Sequence, residues 1–286
     1  MSEPRCTLPS MPSRLRLRVV FLGSGSAGNA VAVTDGTTTL LVDCGFSARE
    51  TARRLTLVGL RAEDVSAILV THEHSDHIRG VEVFQRRHGM AAVGCTLGTR
   101  RAAGFDALAG EVRTLVPGEV ERFGTLSVVP FRTSHDAAEP VGYRIESDGG
   151  RRVGLATDTG VLTPEAAEAL ADVDLLGLES NHDLGMLENG PYPHYLKRRI
   201  RSEQGHLSNP DACDALERLA SDRLRHVFAL HRSNTNNSAS IVRRELTARA
   251  AAIGLRVPVD VASQDEVLDS EPPQGCLFGD ANERAQ

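Results

Sequence analysis

The most constraining stretch of this chain is Val70-Thr71-His72-Glu73-His74-Ser75-Asp76-His77, which follows directly on the apolar run Ala67-Ile68-Leu69-Val70. An apolar, β-branched run that breaks off into ligand-type side chains predicts a buried strand delivering a site at its carboxyl end. His72, His74, Asp76 and His77 fall within six residues. Imidazole suits zinc, manganese or iron, and a carboxylate beside it suits a second, harder position. A merely polar surface loop does not account for so dense a set of ligands.

The rest of the chain repeats the pattern. The run Leu126–Phe131 leads to His135, Arg152–Ala156 to Asp158, Val173–Leu178 to Glu179 and His182, and Arg225–Leu230 to His231. His135 therefore reads as a further ligand. Asp158 reads as the carboxylate that a two-metal site shares between cations about 3.5–4 Å apart. Asp43, which ends the strand Thr37–Val42, is a ligand, an orienter of a metal-bound His or a helix-start carboxylate, with the orienter favoured. Gly23-Ser24-Gly25-Ser26-Ala27-Gly28 matches G-x-G-x-x-G, but a dinucleotide site needs a helix after the glycines. Here Ala30–Thr34, Asp35-Gly36 and Thr37–Val42 read as strand, hairpin turn and strand, so the glycines form a tight turn beneath the site.

Ser47-x-x-Glu50 predicts a capping box opening a helix to about Val58, and Thr163 caps a helix begun by Pro164. Helices are also expected over Gly80–His88, Thr96–Ala103, Ser208–Ser221 and Ile241–Ala252. His88, beside Arg86 and Arg87, belongs to a solvated face. Strands that alternate with helices, after an antiparallel hairpin start, give an α/β sandwich with the site along one sheet edge. The boundaries expected are a flexible leader at 1–14, one catalytic domain at 15–267 and a disordered tail at 268–286.

Composition narrows the function classes. A net charge of −6 and 4% aromatic residues disfavour bulk electrostatic or stacking-based binding of nucleic acid, while leaving room for a local basic cleft. Lys197, Arg198, Arg199 and Arg201 supply one such cluster, read equally as a solvated helix face or as a phosphate clamp beside His206. Arg232 is a further candidate for holding phosphate, and Ser233 a neutral donor. Five scattered cysteines with no Cys-x-x-Cys pair form neither a disulfide framework nor a cysteine zinc site. With no signal-like segment near the amino terminus and no run of about 18 apolar residues, the expected setting is the reducing cytoplasm, without membrane contact.

Taken together, these residues resemble the metallo-β-lactamase superfamily over about residues 15–267, through Thr71-His72-x-His74-x-Asp76-His77 above all. The resemblance implies an αββα sandwich of two mixed sheets flanked by helices. A narrower likeness, to the YycJ/WalJ group of metal-dependent nucleases, is carried by Gly23–Asn29, Thr157–Gly160, Glu179–Asp183, Tyr192–Ile200 and Gly205–Ser208. It implies a phosphodiesterase acting on nucleic acid, expected to be DNA taken from the 5′ end, through a hydroxide shared by two divalent cations. Zinc or manganese is expected, and iron is also compatible. The superfamily pattern would put His72, His74, His135 and Asp158 around one cation and Asp76, His77, Asp158 and His231 around the other. Asp76 would also orient the hydroxide. Glu179 and His206 are similar to the pair that protonates the leaving group in ribonuclease Z-like enzymes, although Leu207-Ser208 departs from the Ser-Thr of that pattern. His182 lines the site, replaces His231 as a ligand or merely packs, and is assigned the lining role. The competing function is hydrolysis of a small ester, thioester or lactam on the same metals, for which neither the basic cluster nor a dedicated His acid is needed.

Overall fold

The structure, a computed structural model, describes residues 17–89 and 91–271. One sheet takes β1 (Arg18–Gly23), β2 (Ala30–Thr34), β3 (Thr39–Val42), β4 (Val65–Leu69), β5 (Ala92–Cys95) and β6 (Val112–Thr114). The other takes β7 (Glu121–Phe123), β8 (Leu126–Arg132), β9 (Val141–Ser147), β10 (Arg152–Ala156), β11 (Leu175–Glu179), β12 (His226–Leu230) and β13 (Val259–Val261). A last strand, β14 (Leu268–Asp269), returns to the first sheet beside β1.

Both sheets are mixed in the same way. Strands pair antiparallel from β14 through β1 and β2 to β3, then parallel from β3 to β6. Likewise β7 to β10 are antiparallel and β10 to β13 parallel. Because β8 and β10 flank β9 antiparallel, they run the same way. The carboxyl ends of β8, β10, β11 and β12 therefore share one edge of their sheet.

The period-2 alternation of the strands decides the layers. Val19, Phe21, Val31, Val33, Leu40 and Leu69 point into the core between the sheets, where they meet Leu126, Val128, Tyr143, Ile145 and Phe228. Their neighbours Val20, Leu22, Ala32, Leu41 and Ile68 point outward, against Leu55 of α1 (Ala48–Leu57) and Phe84 of α3 (Val81–Arg87). The short α2 (Ser75–Ile78) lies between these two helices in sequence, and α4 (Leu97–Ala102) follows β5. On the far face, Ala156, Leu176, Leu178 and Ala229 pack against Leu170 of α5 (Pro164–Leu170), Leu216 of α8 (Asn209–Leu219) and Leu246 of α9 (Ala239–Ala252). Between β11 and α8 the chain forms α6 (Leu184–Asn189) and α7 (His194–Ile200). The expected αββα sandwich of two mixed sheets is the architecture observed.

Two local expectations are corrected. Ser47 does cap α1, its hydroxyl accepting from the Glu50 amide at 3.2 Å, but the Glu50 carboxylate turns instead to Arg53 and Arg54 at 2.7 Å each. Two guanidinium partners outcompete one backbone N–H. The box with both arms is Ser208–Asp211, at the start of α8. The first sheet also runs past the expected boundary at 267, because β14 pairs Leu268 with Phe21 and Asp269 with Val20. Arg18 secures it, its Nε donating to Asp269 Oδ1 at 3.1 Å. The expected leader at 1–14 and residues 272–286 of the expected tail lie outside the described residues.

Candidate metal centre

At the shared edge the two sheets are tied together. The Tyr143 hydroxyl of β9 donates to the Val70 carbonyl at 2.6 Å, and the Val141 amide donates to the Thr71 carbonyl at 3.0 Å. These bonds bring the segment after β4, which carries His72–His77, against the ends of β8, β10, β11 and β12.

The side chains converge into four overlapping donor groups, each with one ligand atom per residue within 4.8 Å of the others. They are His72/His74/His135, His72/His77/Asp158, Asp76/His77/His231 and Asp158/Glu179/His206/His231. Asp158 stands in the middle, Oδ2 being 3.3 Å from His77 Nε2 and Oδ1 3.4 Å from His231 Nε2 and 3.9 Å from His135 Nε2. Asp76 Oδ2 lies 3.6 Å from His77 Nε2 and 3.7 Å from His231 Nε2. Two ligands about 2.1 Å from one tetrahedral cation lie roughly 3.4 Å apart, so these spacings fit a cation in place of direct hydrogen bonds.

The hydrogen bonds around the rings also fit. Thr71 gives its hydroxyl proton to Asp43 Oδ2 at 2.9 Å and so accepts from His72 Nδ1 at 3.0 Å. His77 Nδ1 donates to Asp43 Oδ2 at 2.7 Å, His135 Nδ1 to the Gly205 carbonyl at 3.1 Å and His231 Nδ1 to Glu179 Oε1 at 3.1 Å. In each ring one nitrogen is held by an acceptor and the other faces the cluster, the arrangement that orients metal-bound histidines. His72 Nε2 and His231 Nε2 are buried with no hydrogen-bond partner among the described residues. Since buried polar atoms are nearly always paired, these orphaned lone pairs suit a bound cation.

Electrostatics agree. Burial, helped by His77, pushes His72 well below its ordinary value, and burial lowers His135. Burial opposes charge on His77 too, yet Asp158 and Asp43 lift it well above its ordinary value. His231 rises to about 10 against the same opposition, through Asp158, Asp76 and Glu179. For Asp158, burial is outweighed by His231 and His77, which hold it well below the carboxylate range. The carboxylates thus demand positive charge here, and a divalent cation can supply it by displacing those protons.

Three site residues are held in the left-handed backbone region: Asp43 at φ 61°, Asp158 at φ 51° and His231 at φ 50°. Each lies just past a strand end and turns its side chain into the cluster. Asp and His are among the few non-glycine residues that tolerate this region. Asp43 is the expected orienter. It accepts from the Thr71 amide at 2.8 Å as well as from Thr71 Oγ1 and His77 Nδ1. Replacing Asp43 by Ala orphans these buried donors. The expected outcome is a metal-free fold weaker by roughly 3 kcal/mol in urea unfolding and cation affinity about 10–100-fold lower in chelator competition. Asp43→Asn, which also tolerates positive φ, should recover part of the stability but not the affinity.

Glu179 is fully buried. Its Oε1 takes His206 Nδ1 at 2.8 Å along with His231, and its Oε2 accepts from the Thr159 amide at 2.8 Å. Burial raises its pKa, but His206 and His231 bring it below the usual value. His206, Asp76 and His74 are the partly open members of the cluster, the side chains of the first two 18% and 21% exposed against 4% or less for His77, Asp158, His231 and Glu179. A molecule entering the site meets these three.

His182 falls outside all four donor groups. It is buried, its backbone bridges to Ser208, and neither ring nitrogen has a hydrogen-bond partner among the described residues. Burial lowers its imidazole from 6.5 to about 4. The unfolded chain therefore takes up this proton first as pH falls through that window. His182 should cost the fold up to about 3 kcal/mol at its acid end and nothing above it. His182→Gln should flatten the stability–pH slope of the metal-free chain between those limits in urea titrations. An unchanged slope would contradict the assignment.

The basic residues are only partly brought to the site. Arg199 Nε donates to Asp136 Oδ2 at 2.6 Å, next to His135, and so ties α7 to the rim. Lys197 Nζ donates to the Glu188 carbonyl at 2.7 Å and Arg201 pairs with the Glu188 carboxylate at 2.6 Å, while Arg198 is exposed with no partner among the described residues. Arg232 donates to the Ser233 and Asn237 carbonyls, at 3.1 and 3.3 Å. Ser233 is buried, its hydroxyl accepting from the Asn236 amide at 3.1 Å, so it shapes the loop. Sequence reasoning gave no role to Thr71 or to Asn181, whose Nδ2 donates to the His231 carbonyl at 2.7 Å. For Thr71 the available signal is a polar residue directly after a buried apolar run.

Fold and donor set together define a metal-dependent hydrolase of the αββα type. Residues 38–231 match the beta-lactamase superfamily domain, and the chain belongs to that family. It is 34% identical over 261 residues to exodeoxyribonuclease YycJ of Bacillus anthracis, covering 90% of this chain and 96% of that one. It is also 34% identical over 266 residues to exodeoxyribonuclease WalJ of Streptococcus pneumoniae, covering 91% and 98%. Among solved structures, the metallo-beta-lactamase fold protein YhfI of Bacillus subtilis superposes with a TM-score of 0.68 at 16% identity, over 88% of this chain and 99% of that one, a likeness of fold alone. No helix among the described residues is long and apolar enough to cross a membrane.

Proposed function

We propose that this hydrolase cleaves phosphodiester bonds of DNA from the 5′ end, at a centre of two divalent cations. The observation that carries the reading is the Glu179–His206 pair at 2.8 Å, set at the open side of the donor cluster with His206 Nδ1 3.7 Å from Asp158 Oδ1. A sugar oxygen is a poor leaving group that needs a proton, whereas a thioester expels a thiolate without one. The names of the two bacterial relatives point the same way.

In this reading His72, His74, His135 and Asp158 hold one cation, and Asp76, His77, Asp158 and His231 the other. Zinc and manganese suit such a His/Asp set best, with iron also accommodated. When bound, the cations supply Lewis acidity toward the phosphate and a water that ionises near neutral pH. Asp76 orients the attacking water in line with the scissile bond. As the new P–O bond forms, the bond from phosphorus to the 3′ oxygen breaks. His206 Nε2 gives its proton to that oxygen while Glu179 holds Nδ1, leaving a 3′ hydroxyl and a 5′ phosphate. Arg198 and Arg199 bind neighbouring phosphates, since an exposed pair such as Arg199–Asp136 is weak enough to exchange partners. Lys197, Arg201 and Arg232 contribute at longer range, and His182, buried with its backbone bridged to Ser208, lines the site. The setting is the cytoplasm, where the buried free thiols of Cys44, Cys95 and Cys213 stay reduced.

The test is incubation with 5′-labelled and 3′-labelled DNA and RNA under Zn²⁺ or Mn²⁺. Mononucleotides released first from 5′-labelled DNA support the reading. RNA preference changes the substrate, and turnover of a thioester or lactam with intact nucleic acid replaces the reading altogether.

A further inference from the structure

The turn from Ser24 to Asn29, between β1 and β2, carries contacts that the proposed chemistry does not use. Both residues are buried, at 4% exposure. Asn29 Oδ1 accepts from the Gly25 amide at 2.9 Å, and an amide N–H can only be met by the oxygen end of the carboxamide. The orientation is therefore settled, and Nδ2 faces the cluster. That nitrogen donates to Asp76 Oδ2 at 3.4 Å and to the Gly25 carbonyl at 3.1 Å, and lies 3.1 Å from His77 Nε2. The Asn29 amide also donates to the Asp76 carbonyl at 2.8 Å. At the other end, Ser24 Oγ accepts from the His231 amide at 2.8 Å and gives its own proton to Asn29 Oδ1 at 3.3 Å.

These bonds form one relay: His231 amide, Ser24 hydroxyl, Asn29 carboxamide, Asp76 carboxylate. It starts at the end of a strand in the second sheet and finishes on α2, beside the first. His231 is one of the residues at positive φ, and the Ser24 bond holds that backbone in place. The turn itself is anchored, since Gln264 Oε1 accepts from the Ala27 amide and Gln264 Nε2 donates to the Gly28 carbonyl, both at 2.8 Å. A Cβ at Gly28 would press on the Phe46 ring at 2.9 Å. Among the described residues, no hydrogen bond joins the His72/His74/His135 group to Ser24 or Asn29; His72 is held by Thr71 and His135 by the Gly205 carbonyl instead.

We propose that Ser24 and Asn29 are positioning residues for one cation only, the one held by Asp76, His77 and His231, by setting the spacing of these ligands across the two sheets. This rests on the two-cation reading. The test is Zn²⁺ binding in competition with a chromophoric chelator, on the full chain and on Ser24→Ala, Asn29→Ala and Ser24→Thr. The Ala variants should weaken one of two equivalents by about 10–100-fold and leave the other unchanged. The double Ala variant should be little worse than either single one, because both break the same relay. Ser24→Thr keeps the hydroxyl and should bind as the parent does. In a His231→Ala background, Asn29→Ala should have no further effect on the equivalent that remains. Metal-free urea unfolding checks that the variants fold. Two equivalents bound unchanged, or both weakened alike, overturn the relay alone. A parent chain that binds a single equivalent overturns the two-cation reading itself.

Discussion

Asp158→Asn is expected to lower phosphodiester hydrolysis by roughly a thousandfold or more and to remove at least one of two bound cations. Asp158 is the residue whose two oxygens reach opposite sides of the cluster, Oδ2 toward His77 and Oδ1 toward His231 and His135. A carboxamide has the same shape and tolerates the same positive φ, so the backbone turn should survive. It offers one neutral oxygen where two charged ones stood, and its NH₂ end repels a cation. The loss should thus appear in metal stoichiometry as well as in rate. With the carboxylate gone, His77 and His231 lose their largest source of attraction for a proton, and both should titrate lower in the metal-free variant by NMR. Retention of two equivalents with full activity would remove Asp158 from the centre.

His206→Ala should behave differently. Its ring is held by Glu179 and is open to solvent, so the variant should keep its cations while turnover on DNA falls by about 10²–10⁴-fold. The penalty should shrink for an aryl phosphodiester, whose leaving group departs without a proton. That dependence on the leaving group separates an acid from a residue that only shapes the pocket. Equal losses on both substrates, or loss of a cation, would contradict the acid role.

Much of this site is legible in the chain because strands announce themselves by period. Apolar runs that stop at His72, His135, Asp158, Glu179 and His231 can be read one at a time; the pairing of β8 to β12 aligns four of these ends, and the bonds from Tyr143 and Val141 bring the fifth from the other sheet. What escapes is whatever depends on contacts between distant segments. Asp269 pairs with Arg18 across the whole domain, so β14 has no local signal. Glu50 has the spacing of a capping box, but Arg54 one turn along competes for it. The run from Lys197 to Arg201 looks like one basic cluster, yet the Glu188 main chain and carboxylate engage its two ends. Asn29 reads as the last polar residue of a glycine turn, and only the fold sets its amide against Asp76. His182 follows a strand end like the clustered residues, but the structure places it outside their four groups, with its backbone bridged to Ser208.

The most direct measurement is mass spectrometry of the products formed from a 5′-phosphorylated DNA oligomer in ¹⁸O-water by the metal-loaded chain. The account predicts 5′-mononucleotides with free 3′ hydroxyls. The first released should be unlabelled and each later one should carry a single ¹⁸O on its phosphate, because every cleavage leaves the water-derived oxygen on the shortened strand. Intact DNA under zinc, manganese and iron, beside turnover of an ester, thioester or lactam, would contradict it.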